Sequence, residues 1–211
     1  MDVNSLIEEL RQHGIKDEIL DVIKLVKRER FIPKEYKKQA YENIPLPIGY
    51  KATISQPYTV AFMLQELELK LGCKVLEIGT GSGYNAALIS NLIGKKGNLY
   101  TLEVVPELAT CAKKRLKNYG NVKVLLRDGS DGLKEKAPFD RIIQTAASGK
   151  LQKTLIRQLK FNGVYLAPVG SSYNQKLIKV RKTEKGLTYQ SLGDFIFVPL
   201  IRKSLIEEKP K

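Results

Sequence analysis

Residues 77–84 read Glu-Ile-Gly-Thr-Gly-Ser-Gly-Tyr, where an apolar strand pattern (Val75, Leu76, Ile78) meets three alternating glycines and then a helical pattern. Glycines at such a turn let a ligand lie against bare main chain, because any side chain would hold it off. Their spacing narrows the ligand. A dinucleotide site needs Gly-x-Gly-x-x-Gly, and one position beyond Gly83 this chain has Tyr84 instead of the last glycine. A P-loop needs Gly-Lys-Ser/Thr, and no lysine follows these glycines. Glu103 falls 22 residues after Gly81, near the offset at which a carboxylate accepts both hydroxyls of a ribose. Asp128-Gly129 ends a further strand pattern; the acid there could accept from an adenine amino group, with the glycine leaving room for the ring, or the pair is an ordinary turn. Glu77 either orients the glycine loop or is a polar residue satisfied at the strand end. Cys73 and Cys111 are isolated, with no histidine near them in sequence. They read as buried small hydrophobes, and with His13 they leave neither a metal site nor a nucleophile pair beside the glycines.

These groups need strand ends to hold them. From Lys74 the pattern alternates: strand 74–79, helix 85–93, strand 98–103, a helix opened by Pro106, strand 122–127, strand 139–145, helix 151–159 and strand 164–169. Such alternation predicts a doubly wound, mostly parallel seven-stranded sheet with helices on both faces, an α/β fold. Segments 176–181 and 189–198, with Lys185-Gly186 between them, predict an antiparallel hairpin that ends the sheet. Before the sheet, Leu6, Ile7 and Leu10 make one helical face; Ile19, Leu20, Ile23 and Val26 make another, with Asp17 as its N-cap. Pro45 and Pro47 enforce an extended path over 44–50, and Pro57 suits the first turn of a helix that turns Val60, Met63, Leu64 and Leu67 inward. The chain divides into N-terminal helices and an acceptor-side lid over 1–56, a core over 57–200 and a tail over 201–211, all one domain.

A chain of 211 residues with 43% hydrophobic and 27% charged residues can bury its own core. No apolar run approaches a membrane span and no signal-like N-terminus is present, so the expected address is cytoplasmic. The net charge of +14 would attract nucleic acid. The cations are dispersed, however: Lys24, Lys27, Arg28 and Arg30 in one stretch, Lys113, Lys114, Arg115 and Lys117 in another. They read as solvated helix faces, without the interleaved aromatics of a base-stacking platform.

The acidic-x-Gly-x-Gly-x-Gly form resembles motif I of the S-adenosyl-L-methionine (AdoMet) methyltransferases, whose Rossmann-like core fits the alternation above. Thr53-Ile54-Ser55-Gln56-Pro57-Tyr58, preceded by Pro45-Leu46-Pro47-Ile48-Gly49 and Phe31-Ile32-Pro33, resembles more narrowly the protein-L-isoaspartate O-methyltransferases. The match continues in order through Glu77–Tyr84, Asp128-Gly129, Thr145-Ala146-Ala147 and Pro168-Val169-Gly170 to Val198-Pro199-Leu200. It implies an enzyme that methylates the α-carboxyl of L-isoaspartyl residues in damaged proteins and peptides, leaving S-adenosyl-L-homocysteine and an ester that closes to a succinimide. It implies cofactor contacts from Glu77, Gly79, Thr80, Gly81, Gly83, Glu103, Asp128 and Gly129, and acceptor contacts from Thr53, Ile54, Ser55 and Thr145. Ser55 takes the place of the serine assigned to catalysis, and no metal is involved. Lys51-Ala52 stand where many relatives have Gly-Gln, and Ser148-Gly149 and Phe161-Asn162-Gly163 also depart from the usual pattern. In some members the tail after Val-Pro-Leu touches the cofactor.

Chemistry separates the alternatives. An acceptor carboxylate is already an anion at neutral pH, so it needs no general base and no activated serine nucleophile. Enzymes that methylate amino groups often carry an Asn/Asp-Pro-Pro-aromatic run at the fourth strand end, and Gln144-Thr145-Ala146-Ala147-Ser148 has none. The runner-up is an RNA (tRNA) methyltransferase of the same fold, favoured by the charge but lacking an RNA-binding appendage. A basic binding protein on a decayed methyltransferase fold is opposed by the intact Gly79, Gly81, Glu103 and Asp128.

Overall fold

Apolar runs of five or six residues, each followed by an amphipathic stretch, assemble a sheet covered on both faces. The structure, a computed structural model, describes residues 1–202. The tail expected over 201–211 therefore lies, beyond Arg202, outside the described residues. Strands are β1 (Leu46–Gly49), β2 (Ala52–Ile54), β3 (Lys74–Ile78), β4 (Asn98–Glu103), β5 (Val122–Leu126), β6 (Phe139–Gln144), β7 (Leu159–Gly170), β8 (Gln175–Thr183) and β9 (Gly186–Phe195). Helices are α1 (Val3–Gln12), α2 (Asp17–Leu25), α3 (Pro57–Glu66), α4 (Tyr84–Ile93), α5 (Pro106–Arg115) and α6 (Lys153–Arg157).

One seven-stranded sheet has the order β5-β4-β3-β6-β7-β8-β9. β3 to β7 run parallel, and β8 and β9 return antiparallel, as the sequence pattern predicts. The strand order reverses between β3 and β6. At such a switch the crossovers diverge and leave a crevice beyond the carboxyl ends of the strands. Successive β3 side chains enter different cores. Val75 packs with α1 to α4, while Leu76 and Ile78 pack with Phe139, Ile142 and Tyr165. Burial on both faces is why the strand reads as a nearly continuous apolar run. It also leaves Glu77 fully buried on the α4 side.

Several local expectations change. Asp17 is the first residue of α2 rather than its cap; Lys16 occupies the cap position without a side-chain bond, and Asp17 instead accepts from Arg11. Helix α6 stops at Arg157 because Leu159 is taken into the ladder opposite Phe139. β9 begins at Gly186, where Thr183 and Gly186 pair across a two-residue turn, and it ends at Phe195. Beyond it, the side-chain amide of Gln175 bonds both main-chain groups of Phe197, at 2.7 and 3.1 Å, replacing the ladder. Of the segment expected to be extended over 44–50, β1 is extended and pairs with β2 in a small hairpin, but Tyr50 belongs with Lys51 to its turn, with φ of 53° and 58°. Cys111 is exposed rather than buried.

The largest departure is Arg28. It was expected on a solvated face, yet its side chain is fully buried. The chain kinks after α2 into a short 3-10 turn at Arg28–Arg30, which swings that residue inward. The N-terminal helices share one continuous core with α3 and α4, through Leu6, Leu10, Leu20 and Ile23. Each such side chain contributes roughly 1.5–3 kcal/mol by leaving water.

Candidate active site

The crevice at the switch point is a cavity of about 990 Å³, open solvent at its mouth included. Its walls come from the β1–β2 hairpin and its exit toward α3 (Tyr50 and Ala52 to Ser55), the loop after β3 (Gly79 to Ser82), the end of β4 (Glu103 to Val105), Gly129, Thr145, and the segment Phe197–Ile201. The topology thus brings Thr53, Ile54, Ser55, Gly79, Thr80, Gly81, Glu103, Gly129 and Thr145 to one place. Gly83, Glu77 and Asp128 are not in that wall.

All three loop glycines have left-handed φ: 94° at Gly79, 52° at Gly81 and 87° at Gly83. That conformation disfavours any Cβ, so glycine is required before a ligand is considered. Space adds a second reason, which differs along the loop. A Cβ on Gly79 would lie 2.5 Å from Thr145 Oγ1, and one on Gly83 would lie 3.1 Å from Leu116 Cδ1. These two glycines admit neighbouring protein. Only at Gly81 would a Cβ meet nothing closer than Ile48 Cδ1, at 3.5 Å, so the open main chain is centred there.

Glu103 stands at the junction of loop and strand. Its Oε2 accepts from Gly81 N at 2.8 Å, and its Oε1 accepts from Val104 N and Val105 N at 2.9 and 3.0 Å. A carboxylate offers about four acceptor positions, so three amides leave roughly one open. One ligand hydroxyl can be accepted directly, and a second requires the Gly81 amide to give way. Val104, Val105 and Leu108 form an apolar wall beside it.

Thr145 was expected to contact the acceptor. It lines the cavity, but its hydroxyl lies 2.8 Å from Gly79 O and 3.1 Å from Ile78 O, so its proton is committed to the loop. What it offers the cavity is an acceptor. Asp128 Oδ1 accepts from Ser130 N at 2.8 Å, an Asx turn that shapes the approach to buried Gly129. Thr80 and Thr101 share a hydrogen bond of 2.6 Å beneath the loop.

Glu77 acts from behind the wall. Its Oε1 accepts from Asn85 Nδ2 at 2.7 Å, and Asn85 does line the cavity. Oε2 makes no hydrogen bond of good geometry among the described residues, although the Thr101 hydroxyl is close enough to pull on the carboxyl. Burial pushes the Glu77 carboxyl up to about 7, against the pull of Thr101 and Asn85 and with Glu103 adding repulsion. A raised carboxyl stabilises the fold at low pH, and that stability is lost as pH rises from the ordinary value of 4.5 through 7. Glu77→Gln should therefore flatten this dependence and raise stability at pH 8 by on the order of 3 kcal/mol. Melting curves of both proteins between pH 5 and 8 check this; parallel curves would contradict it.

Sequence reasoning missed Asn85, Met63, Arg127 and most of the wall built by Phe197–Ile201. That last segment is anchored to the end of β6: Ala147 N donates to Val198 O at 2.8 Å and Leu200 N to Ala147 O at 2.7 Å. Val198-Pro199-Leu200 was the available signal. Ile201, just past that signal, also lies in the cavity wall. Among the described residues, no group of three or more His, Cys, Asp or Glu could hold a metal ion, and no helix is long and apolar enough to cross a membrane.

Comparison with known proteins points one way. The family model described as Protein-L-isoaspartate(D-aspartate) O-methyltransferase (PCMT) matches residues 1–205. A protein-L-isoaspartate O-methyltransferase of Fervidobacterium nodosum is 45% identical over 197 residues, 92% of this chain and 99% of the relative. One of Methanosarcina mazei is 49% identical over 201 residues, 94% of this chain and 82% of the relative. Among solved structures, a protein-L-isoaspartate O-methyltransferase superposes with a TM-score of 0.88 at 28% identity, covering 96% of this chain and 67% of the other. A Plasmodium falciparum chain assigned to the same activity, in complex with S-adenosyl-L-homocysteine, superposes with a TM-score of 0.85 at 25% identity, covering 95% and 99%.

Proposed function

The chain belongs to the protein-L-isoaspartate(D-aspartate) O-methyltransferase family, and on that premise we propose how its residues divide the work. The reaction is AdoMet-dependent methylation of the α-carboxyl of L-isoaspartyl residues. The observation that carries the residue assignment is that Ser55 and the main chain at Gly79–Ser82 line one cavity.

The cleft fits the cofactor. Glu103 retains an acceptor position for a ribose hydroxyl, Val104, Val105 and Leu108 offer an apolar face to a ring, and Gly81 leaves the main chain uncovered. When bound, AdoMet supplies an electrophilic methyl group on a sulfonium. Gly129 was expected to leave room for the ring, but a Cβ there would lie 2.5 Å from Ile78 Cγ2, so this glycine admits the β3 side chain, with Asp128 setting its turn. Glu77 orients Asn85, and Gly83 lets the loop pack against Leu116.

Thr53, Ile54 and Ser55 receive the acceptor on the opposite wall. Ser55 is half-buried and has no histidine partner; the ring of His13 bonds Glu9 O instead. Its task is to hold the acceptor carboxylate in line, which needs a hydrogen-bond donor and no base. Thr145 keeps the two walls in register through Gly79. Within 1–56, the hairpin residues Tyr50 to Ser55 serve as the acceptor-side cover, while α1 and α2 support them from the core. The partners are proteins and peptides carrying isoaspartyl residues, met in the cytoplasm. The +14 surface suits acceptors rich in carboxylates as well as it suits RNA.

A carboxyl ester is labile in mild base, whereas a methylated nucleobase nitrogen is not. Radiolabelled methyl placed on an isoaspartyl peptide should be released as volatile methanol at alkaline pH. Base-stable label would contradict carboxyl methylation.

A further inference from the structure

We propose that Arg28 is a positioning residue for methyl transfer, clamping both ends of the hairpin that presents Ser55 and referring it to the cofactor loop. The proposal rests on the reading of Ser55 above. Arg28 Nη1 donates to Ser55 O at 2.9 Å, and Nη2 donates to Ile44 O at 3.2 Å. Ile44 lies just before β1 and Ser55 just after β2, so one guanidinium holds the two feet of the hairpin. Its Cζ lies 5.6 Å from the centre of the Tyr84 ring. Tyr84 follows the last loop glycine, begins α4 and lines the cavity. Three parts of the site therefore meet on one side chain.

The cost of this arrangement suggests more than packing. Arg28 is fully buried, its Nε has no partner, and it belongs to none of the ion pairs among the described residues. A buried cation without a counter-charge is expensive, and a neutral donor or an apolar side chain could brace a loop with less penalty. Only a planar fork satisfies two carbonyls at once while stacking on a ring. Burial lowers its pKa to about 10, so the charge persists at neutral pH. That charge bonds the main chain of Ser55, the residue proposed to hold the anionic acceptor.

The test uses Arg28→Lys, which keeps the charge but loses the fork, and Arg28→Met, which loses both. In each, kcat for an isoaspartyl peptide should fall by about 10²-fold, the scale of a catalytic group displaced by about 1 Å. The affinity for S-adenosyl-L-homocysteine, measured by calorimetry, should hold. The peptide KM should rise more in Arg28→Met than in Arg28→Lys. In a Ser55→Ala background, either Arg28 change should cost less than about twofold, because a residue acting through Ser55 has little left to act on. A full loss in both backgrounds would overturn the proposal, as would two variants that no longer bind S-adenosyl-L-homocysteine, since Arg28 would then serve the fold alone. If Ser55→Ala by itself leaves turnover intact, the reading of Ser55 fails, and this proposal falls with it by a separately visible route.

Discussion

Ser55→Ala is expected to lower kcat on an isoaspartyl peptide by roughly 10²-fold while leaving S-adenosyl-L-homocysteine affinity within about twofold. The size reflects the hydroxyl's task. The acceptor is an anion before it binds, so no proton transfer is lost with the side chain. What is lost is alignment, and a misplaced acceptor forfeits part of the roughly 7–11 kcal/mol that orientation can supply. The main chain should not move. Ile54 pairs with Leu46, Pro57 starts α3, and the Arg28 bond is to the carbonyl of residue 55 rather than its side chain. Steady-state kinetics and calorimetry on the variant give both readings. Unchanged turnover would remove Ser55 from the reaction.

Glu103→Ala should produce the opposite phenotype: S-adenosyl-L-homocysteine affinity weaker by about 10²-fold, with peptide KM little changed. Three amides, Gly81 N, Val104 N and Val105 N, lose their acceptor together. Hydrogen bonds to a charged group are worth about 1.5–3 kcal/mol each, and part of that is recovered by water in an open cleft. The ligand also loses its acceptor for a ribose hydroxyl. With the Gly81 tie cut, the loop is no longer anchored to β4, so a lower melting temperature should accompany the weaker binding. Calorimetry with S-adenosyl-L-homocysteine reads the effect, and wild-type affinity in the variant would overturn the role given to Glu103.

Ser55 and Glu103 were marked by different kinds of signal. Glu103 was legible from spacing alone: a strand after a glycine turn places its last residue beside that turn. Ser55 was legible only through the resemblance carried by Thr53-Ile54-Ser55-Gln56-Pro57, since nothing local marks a lone serine as functional. The parallel sheet and its closing hairpin were readable because strands buried on both faces are written as apolar runs. What stayed hidden depends on tertiary neighbours. Gly83 looks like its two companions in sequence, yet Leu116 of a different crossover fills the space at its α-carbon. Arg28 sits among exposed lysines, and only the 3-10 turn after α2 turns it inward. Thr145 stands where expected, but its proton is used by carbonyls that no pattern in the chain reveals. Phe197–Ile201 leaves the sheet because a single glutamine side chain, Gln175, satisfies the main chain there.

In the proposed function, the cofactor cleft and the Ser55 wall together select a misplaced carboxylate on a polypeptide. Labelled AdoMet offered separately to an isoaspartyl peptide, to the same peptide with normal aspartate, and to bulk tRNA tests it most directly. Label is expected in the isoaspartyl peptide alone. Label in tRNA alone, or equal label in the two peptides, would contradict it.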